Sequence, residues 1–350
     1  MRCRINSLTL ADALGEAQRA VPSNPSLRTY SAVHLAAKTG RFSVTGSDGE
    51  LTIRASGDCI ADEPGECLFH PRPVVAWLQT VGNVEIEVEE SGDGDMVLSA
   101  AGLAAYRFHT VSASFPRSPQ IPGTPLRINL TGLKSALASL RTAVDRDSRI
   151  VQLVSSDTEL RINATDTYRL CQVVIGGAGF GEFSGLISLS ALENLSGEVD
   201  RVSVDVSGRV VAFASDDVNY TCRLAVVAFP AVDSILSNLP ASRVQLPVGD
   251  VRRAIERLNT IVGESSLHCV MERDTLTLSV GDSSIGTGRE VVAISNGPQA
   301  AFEFHVRPSY LSDALKERGS AEVTLAYSDA LSPLFFVSSG NTYAVMPVRP

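Results

Sequence analysis

One spacing of apolar residues occurs three times along the 350-residue chain. Leucine, isoleucine, valine and alanine recur at positions i, i+3, i+4, i+7 and i+11, the spacing that places them on one face of an α-helix. The stripes run from Leu10 to Val21, from Leu133 to Val144 and from Val251 to Val262. They predict three amphipathic helices roughly 120 residues apart, and hence a repeat of domain size.

A second pattern, a short helix followed by an alternating strand, also occurs three times. Alternation of apolar and polar side chains is typical of a strand with one buried face. The predicted helices are 73–81, 189–195 and 308–318, and the strands that follow them are 84–88, 202–206 and 323–325. Further alternating runs predict hairpins within 42–54 and 210–224.

Two Phe-Pro pairs mark the ends of the first two repeats. Phe115-Pro116 precedes a proline-rich stretch up to Pro125, and Phe229-Pro230 precedes a stretch that ends at Pro240. Because proline cannot donate the hydrogen bond of a central strand, we expect linkers on the outside of the structure. The sequence therefore predicts three similar domains, 1–121, 122–242 and 243–350. Each is expected to be an α+β layer of about eight strands with two helices on one face of a sheet.

The composition supports full hydrophobic cores. Hydrophobic residues make up 44% of the chain and charged residues 20%, which excludes general disorder. No apolar run approaches the roughly 18–20 residues of a membrane-spanning helix, and the first residues lack the apolar segment of an export signal. We therefore predict a cytoplasmic protein.

Six cysteines lie mostly in apolar or strand-like stretches, at positions 3, 59, 67, 171, 222 and 269. Without an export signal, we expect reduced and buried thiols. Cys59 and Cys67 are near enough in sequence to meet across a turn, so a disulfide is the alternative for that pair. Two free thiols are the favoured interpretation.

The sequence lacks the usual catalytic and cofactor-binding patterns. The glycine-rich stretch 177–181 lacks GxGxxG spacing and leads to a predicted strand, so we expect a loop. The Asp-Gly-Asp segment 93–95 lacks the other acids of a calcium loop and predicts a hairpin turn. His268 and Cys269 are adjacent in a predicted strand and point to opposite faces, which makes them a poor ligand pair. With no GxSxG, Walker A or HExxH motif, we predict no catalytic residue, cofactor or metal, and we favour a binding or scaffold protein over an enzyme.

Charge is distributed unevenly along this acidic chain, whose net charge is −9. The predicted helix 131–144 carries two cations and no acid, the helix 248–262 carries three arginines against two acids, and the first helix carries one arginine against two acids. Basic side chains at the rim of a helix are one interpretation. The other is a basic face that contacts DNA phosphates without reading bases. That face would consist of Arg19, Lys134, Arg141, Arg252, Arg253 and Arg257.

Four segments carry a resemblance to a known family. Residues 44–48 read Val-Thr-Gly-Ser-Asp, residues 164–170 read Ala-Thr-Asp-Thr-Tyr-Arg-Leu, residues 229–230 read Phe-Pro, and residues 343–350 read Tyr-Ala-Val-Met-Pro-Val-Arg-Pro. In that order, they resemble four features of the bacterial DNA polymerase III β subunit: the first-domain hairpin, the A-T-D-x-x-R-L motif of the middle domain, the segment that closes the middle domain, and the terminal Y-x-x-M-P-x-R-L. A frayed end is the other interpretation of such a tail, and the coincidence with the other motifs and the threefold repeat favours the resemblance.

The resemblance to this sliding-clamp family implies three DNA-clamp domains and a head-to-tail homodimer whose six domains form a ring. Such a ring encircles double-stranded DNA without sequence preference. It acts as a non-catalytic processivity factor, because tethering raises the effective concentration of the polymerase. The implied partners are a second copy of the chain, duplex DNA, the DNA polymerase III α subunit and the clamp loader, with a nucleoid-associated location in the cytoplasm.

The resemblance also implies a partner-peptide pocket between the middle and C-terminal domains, where the 165–170 motif meets the tail. Its apolar and methionine walls would accept Leu or Phe anchors. Carried over by motif, its residues are Thr165, Tyr168, Arg169, Leu170, Pro230, Ile235, Tyr310, Met346, Pro347, Val348 and Arg349. The implied dimer seam places Phe108 against Ile261 of the other chain.

Some positions depart from the family pattern. Ser234 stands where a second arginine often follows Phe-Pro, Pro350 replaces a terminal leucine, and Asn24 stands where a basic residue is expected. These departures suggest a divergent member, such as a second clamp copy or a phage-borne or plasmid-borne one.

The functional alternative is a clamp-like protein that binds partner peptides without acting as a DNA ring, as a decoy or regulator. An apolar dimer edge would favour the ring, and a charged edge would favour the monomer. An unrecognised enzyme is a third, disfavoured interpretation.

Overall fold

A computed structural model describes residues 1–91, 93–116, 126–127, 133–176, 182–195, 199, 201–205, 209–263, 266–281, 285–316 and 321–349. Of residues 126, 127, 134, 135 and 201 only the backbone is described. The stretches 117–125 and 177–181, predicted to be a linker and a loop, lie outside the described residues.

The helices of the described residues are α1 (Ser7–Gln18), α2 (Pro71–Val81), α3 (Leu133–Ala143), α4 (Leu189–Glu193), α5 (Val232–Leu236), α6 (Val248–Leu258) and α7 (Pro308–Ala314). The three helices predicted from the apolar stripes are confirmed as α1, α3 and α6. The last valine of each stripe lies just beyond its helix, on a closing turn. Val21 N–H donates to Gln18 O at 2.9 Å, and Val262 N–H donates to Leu258 O at 3.0 Å.

The second set of predicted helices is confirmed with different ends. Helix α2 begins at Pro71 rather than at residue 73, because proline suits the first turn of a helix. Helices α4 and α7 end before the predicted residues 195 and 318. The backbone tightens there into i to i+3 hydrogen bonds, from Leu195 N–H to Leu192 O and from Leu315 N–H to Ser312 O.

The strands up to residue 127 are β1 (Arg2–Asn6), β2 (Val33–Lys38), β3 (Arg41–Ser47), β4 (Leu51–Asp58), β5 (Ile60–Glu63), β6 (Gly65–Phe69), β7 (Glu85–Glu90), β8 (Met96–Ala100), β9 (Tyr106–Phe108) and β10 (Leu126–Arg127). The later strands are β11 (Ile150–Ser155), β12 (Glu159–Thr165), β13 (Arg169–Gly176), β14 (Phe183–Ser188), β15 (Arg201–Asp205), β16 (Val210–Ala214), β17 (Val218–Arg223), β18 (Ser242–Pro247), β19 (Leu267–Glu272), β20 (Thr275–Val280), β21 (Gly288–Ala293), β22 (Phe302–Val306), β23 (Glu322–Tyr327), β24 (Leu334–Ser338) and β25 (Asn341–Val345).

The chain forms two compact units, residues 1–130 with 190–224 and residues 131–189 with 225–350. In the first unit one sheet has the order β5-β1-β7-β8-β9 and the other the order β10-β15-β16-β17-β4-β3-β2-β6. Helices α1 and α2 contribute Leu14 and Trp77 to a core shared with Ile5, Phe42 and Phe69 of the strands. The pairing of β4 with β17 makes one sheet continuous across the first predicted domain boundary.

In the second unit the sheets have the orders β14-β11-β12-β13-β25-β24-β23-β18 and β21-β20-β19-β22. Helix α3 packs on β12 and β13, and helix α6 packs on β20 and β21. The pairing of β13 with β25 again joins strands from two predicted domains. The predicted α+β class with antiparallel sheets is confirmed, and the division into three domains stays a prediction.

Several local predictions are also confirmed. All six cysteines are buried and none is in a disulfide, and burial raises the pKa of the Cys3 and Cys67 thiols to about 12. Segment 93–95 lies in the turn between β7 and β8, where Gly94 has φ +82°. In β19, Cys269 is fully buried and its neighbour His268 faces outward.

Candidate functional site

The Ala-Thr-Asp-Thr-Tyr-Arg-Leu segment forms the tight turn between β12 and β13. Asp166 Oδ1 accepts hydrogen bonds from the backbone N–H groups of Tyr168 and Arg169, at 3.0 and 2.6 Å. The Thr165 hydroxyl accepts from Thr167 N–H at 3.1 Å and donates to the Arg169 carbonyl at 2.8 Å. Bonds of this local kind are the reason that Asp and Thr favour turns. They hold Thr167 at φ +74°, in the left-handed region.

Two carboxylates hold the Arg169 side chain, which is only 11% exposed. Its Nε and Nη2 donate to Asp166 Oδ2 at 2.9 and 2.7 Å, and its Nη1 donates to Asp313 Oδ2 at 2.7 Å. Burial alone would lower the pKa of Arg169, but these hydrogen bonds and charges outweigh it and raise the pKa above the ordinary value. Asp313 also accepts from Lys316 Nζ at 2.7 Å. This network connects the turn to helix α7.

Tyr310 of helix α7 contacts two guanidinium groups through its ring. The Arg169 guanidinium carbon lies 4.3 Å from the ring centre, and that of Arg307 lies 5.5 Å away. Both are within cation–π range. Arg307 immediately precedes helix α7 and is exposed.

The C-terminal tail runs beside this turn. In the pairing of β13 with β25, Arg169 lies opposite Val345. Beyond β25, Met346 N–H donates to the Tyr168 carbonyl and Val348 N–H donates to the His305 carbonyl, each at 2.8 Å. The tail and the 165–170 motif are therefore adjacent because they share one sheet.

A small apolar cluster lies at the same sheet. Its buried members are Leu170, Val232, Ala326, Phe335 and Ala344, and Phe229, Leu236 and Leu239 pack against them. Two large apolar side chains near this cluster lie at the surface: Tyr168 is 61% exposed and Ile235 is 40% exposed. Exposed apolar groups beside a fixed polar network are suited to binding a partner.

Most of the candidate pocket residues lie in these contacts. Thr165, Tyr168, Arg169, Leu170, Tyr310, Met346 and Val348 take part in them, whereas Pro230 and Ile235 lie on the segment that packs against the apolar cluster, and Pro347 and Arg349 lie in the tail. Their role in peptide binding stays a prediction. Sequence reasoning missed Asp313 and Arg307, for which no pattern was present, and Phe335, whose apolar run was the available signal.

The candidate DNA-facing arginines of α6 are paired with acids. Arg252 lies 3.9 Å from Glu256, and Arg253 pairs with Asp250. Arg257 pairs with Glu290 of β21 at 2.7 Å, and its hydrogen bond lowers the pKa of that carboxyl group. Acids of the same helix and of β21 thus compensate the charge of these arginines locally.

The remaining candidate DNA-facing cations lie at the end of α1 and on α3. Arg19 pairs with Glu16 at 3.1 Å. Arg141 lies in the last turn of α3, and the Lys134 side chain lies outside the described residues. A DNA-facing role for these six cations stays a prediction.

The two candidate seam residues lie in different units. Phe108 belongs to the edge strand β9 and packs on Trp77, with ring centres 6.4 Å apart. Ile261 lies against the edge strand β21, where a Cβ added to Gly288 would come within 2.5 Å of Ile261 Cδ1. Their pairing between two chains stays a prediction.

Metal clusters and membrane spans are absent from the described residues. No group of three or more His, Cys, Asp or Glu side chains there is arranged to hold a metal ion. No helix among those residues has the length and apolar character to cross a membrane.

Comparisons with known proteins give one answer. Residues 1–117 match the family model for the N-terminal domain of the DNA polymerase III beta subunit. The beta sliding clamp of Streptococcus pneumoniae is 20% identical, with 99% of this chain and 98% of that protein covered. That of Bacillus subtilis is 22% identical, and the comparison covers 100% of both.

Solved structures share the fold. The DNA polymerase sliding clamp from Caulobacter crescentus superimposes with a TM-score of 0.90 at 21% identity, and the beta subunit from the DNA polymerase of Streptococcus pyogenes with 0.89 at 19%. In both comparisons 100% of each chain is covered. The chain therefore resembles the DNA polymerase III beta subunits, the beta sliding clamps, along its full length and has their fold.

Proposed function

We propose that this chain is a non-catalytic processivity factor of DNA replication. Two copies form a head-to-tail ring around duplex DNA, and the ring tethers the replicative polymerase and the clamp loader through short peptides. The observation that carries the proposal is the site in which the 165–170 turn, Tyr310 and the C-terminal tail meet beside exposed apolar side chains. Full-length similarity to beta sliding clamps supports the same function.

The chemistry of this site suits a short apolar peptide. A Leu or Phe side chain of the partner would pack beside Met346 and over the edge of the cluster that contains Leu170. The ion pairs of Arg169 fix the wall formed by Tyr310 before the peptide arrives, so less ordering entropy is lost on binding.

Deletion of residues 346–350 should abolish peptide binding. The measurement is fluorescence anisotropy with a labelled peptide from the C-terminal region of the cognate polymerase α subunit. Since strand β25 ends at Val345, the deletion leaves its pairing with Arg169 intact. Met346→Ala should weaken binding by about 2 kcal/mol or less, because it removes one wall of the anchor site.

The matched control is Ile60→Ala, which removes an exposed apolar side chain from the other unit. It should bind the peptide like the wild type. Full affinity in the truncated chain would contradict the proposed site.

Neutralising the cations of α3 tests the interaction with DNA. Lys134→Gln with Arg141→Gln should lower DNA affinity equally for all sequences. The slope of log affinity against log salt should decrease by about 0.9 for each phosphate that the variant no longer neutralises. An unchanged slope would show that both are rim charges, and a sequence-dependent decrease in affinity would mean that base edges are read.

One observation favours the second candidate function, a clamp-like binder of partner peptides that acts as a decoy or regulator. The arginines of α6 are already paired with Glu256, Asp250 and Glu290, which weakens their attraction for phosphate. Light scattering separates the two candidates when it is combined with DNA binding. A monomer that binds peptide but not DNA would favour the decoy.

A further inference from the structure

We propose that Arg307 selects partner peptides that carry a carboxylate beside their apolar anchors. The proposal rests on the proposed function, because it concerns the same site. It assigns specificity to a side chain that lies outside the turn and the tail.

The charges of the neighbouring cations are already used within the chain. Arg169 is bound by Asp166 and Asp313, and Lys316 is bound by Asp313. In the part of the chain that the structure describes, no carboxylate lies within ion-pair distance of Arg307. Its described side-chain contact is the Tyr310 ring. A guanidinium over an aromatic face keeps its N–H edge available for a planar acceptor.

Arg307 also lies next to the tail that would hold the anchor. The antiparallel bridge between His305 and Val348 aligns β22 with the tail. Arg307 lies two residues after His305, and Met346 lies two residues before Val348. A peptide whose apolar side chain contacts Met346 therefore has its adjacent residues within reach of the guanidinium.

A carboxylate is the group that fits these conditions. Arginine and carboxylate form paired, charge-assisted hydrogen bonds of matched geometry, and a neutral amide forms weaker ones. An exposed arginine without an acid beside it attracts an acidic residue of a partner.

The test is a double-mutant cycle on the full-length chain. The probes are labelled versions of the polymerase peptide in which each position flanking the apolar anchors is in turn Asp or Asn. The wild type should bind one of the Asp versions about 5-fold tighter than its Asn partner. Arg307→Gln should bind both versions with the affinity that the wild type has for the Asn version, and added salt should reduce the wild-type preference.

The controls separate this proposal from the proposed function. Arg289→Gln removes another exposed arginine of the same unit and should keep the Asp preference, and thermal unfolding should show Arg307→Gln folded. Equal affinity of the wild type for every Asp and Asn pair would overturn the role of Arg307 and leave the peptide site standing. No binding of any version to the wild type would overturn both.

Discussion

At the residue scale, Arg169 stabilises the fold at the proposed peptide site. Its guanidinium neutralises Asp166 and Asp313, both largely buried. Removing it would leave the Asp166 carboxylate without its cation and Asp313 with Lys316 alone, at a cost of several kcal/mol. A decrease in peptide binding after such a change would therefore reflect altered folding as well as altered recognition. Met346 and Arg307 are the better test positions because their side chains reach the surface.

Thr167 gives a stability prediction at this scale. A β-branched residue at φ +74° is strained, and glycine adopts that conformation without strain. We expect Thr167→Gly to raise the free energy of unfolding by about 1 kcal/mol, as measured by denaturant titration. Thr167→Ala keeps a Cβ and should give a smaller gain. A destabilised Gly variant would show that the Thr167 side chain contributes more than its strain costs.

At the element scale, the pair β19 and β22 connects the tail to two histidines. His268 and His305 lie opposite each other, and their rings stack with centres 4.7 Å apart. Burial and the neighbouring His268 lower the pKa of His305 below its ordinary 6.5, and Glu303 acts in the opposite direction. Ser266 Oγ faces His305 Nδ1 at 3.4 Å. The same His305 supplies the carbonyl that binds the tail.

This arrangement predicts a pH dependence of stability. Below pH 6.5 the unfolded chain protonates this histidine more readily than the folded chain does, so stability should fall as the pH decreases. Denaturant titrations between about pH 7.5 and 5.5 should give a shallower decline for His305→Gln than for the wild type. His268→Gln, which removes the neighbouring ring, should give an intermediate slope. Equal slopes in all three proteins would contradict the prediction.

At the scale of the whole molecule, the proposed assembly of two copies involves the edges of the sheets. Strands β9 and β21 are edge strands of the first and second unit, and they hold or adjoin the proposed seam residues Phe108 and Ile261. An edge strand with apolar side chains readily pairs with another chain. This supports the proposed head-to-tail dimer.

Changing both proposed seam residues to Asp should convert the proposed dimer into a monomer of 37.1 kDa, because unpaired charges at a buried seam are strongly unfavourable. The measurement is size-exclusion chromatography with light scattering. Ile60→Asp places the same charge on β5, the opposite edge of the sheet that contains β9, and should leave the dimer intact. Thermal unfolding must accompany the test because Phe108 packs on Trp77. A folded double variant that stays dimeric would exclude this seam.

Local patterns in the sequence determined the elements. The stripes that predicted α1, α3 and α6, and the alternation that predicted the strands, depend on residues within one element and on burial of one face. The burial of the cysteines followed from the same apolar surroundings. Helix ends were predicted less well, because a terminal turn depends on hydrogen bonds that periodicity does not contain.

Only the tertiary structure decided which distant residues meet. The pairing of Arg169 with Val345 and with Asp313, and of Arg257 with Glu290, depends on how whole strands and helices pack. An alternating strand specifies its buried face but not its neighbour, since many strands offer the same pattern of backbone donors and acceptors. For the same reason the sequence shows that an arginine is charged, but only the fold shows whether an acid lies beside it. Acids neutralise Arg169, whereas the described contact of the Arg307 side chain is the Tyr310 ring.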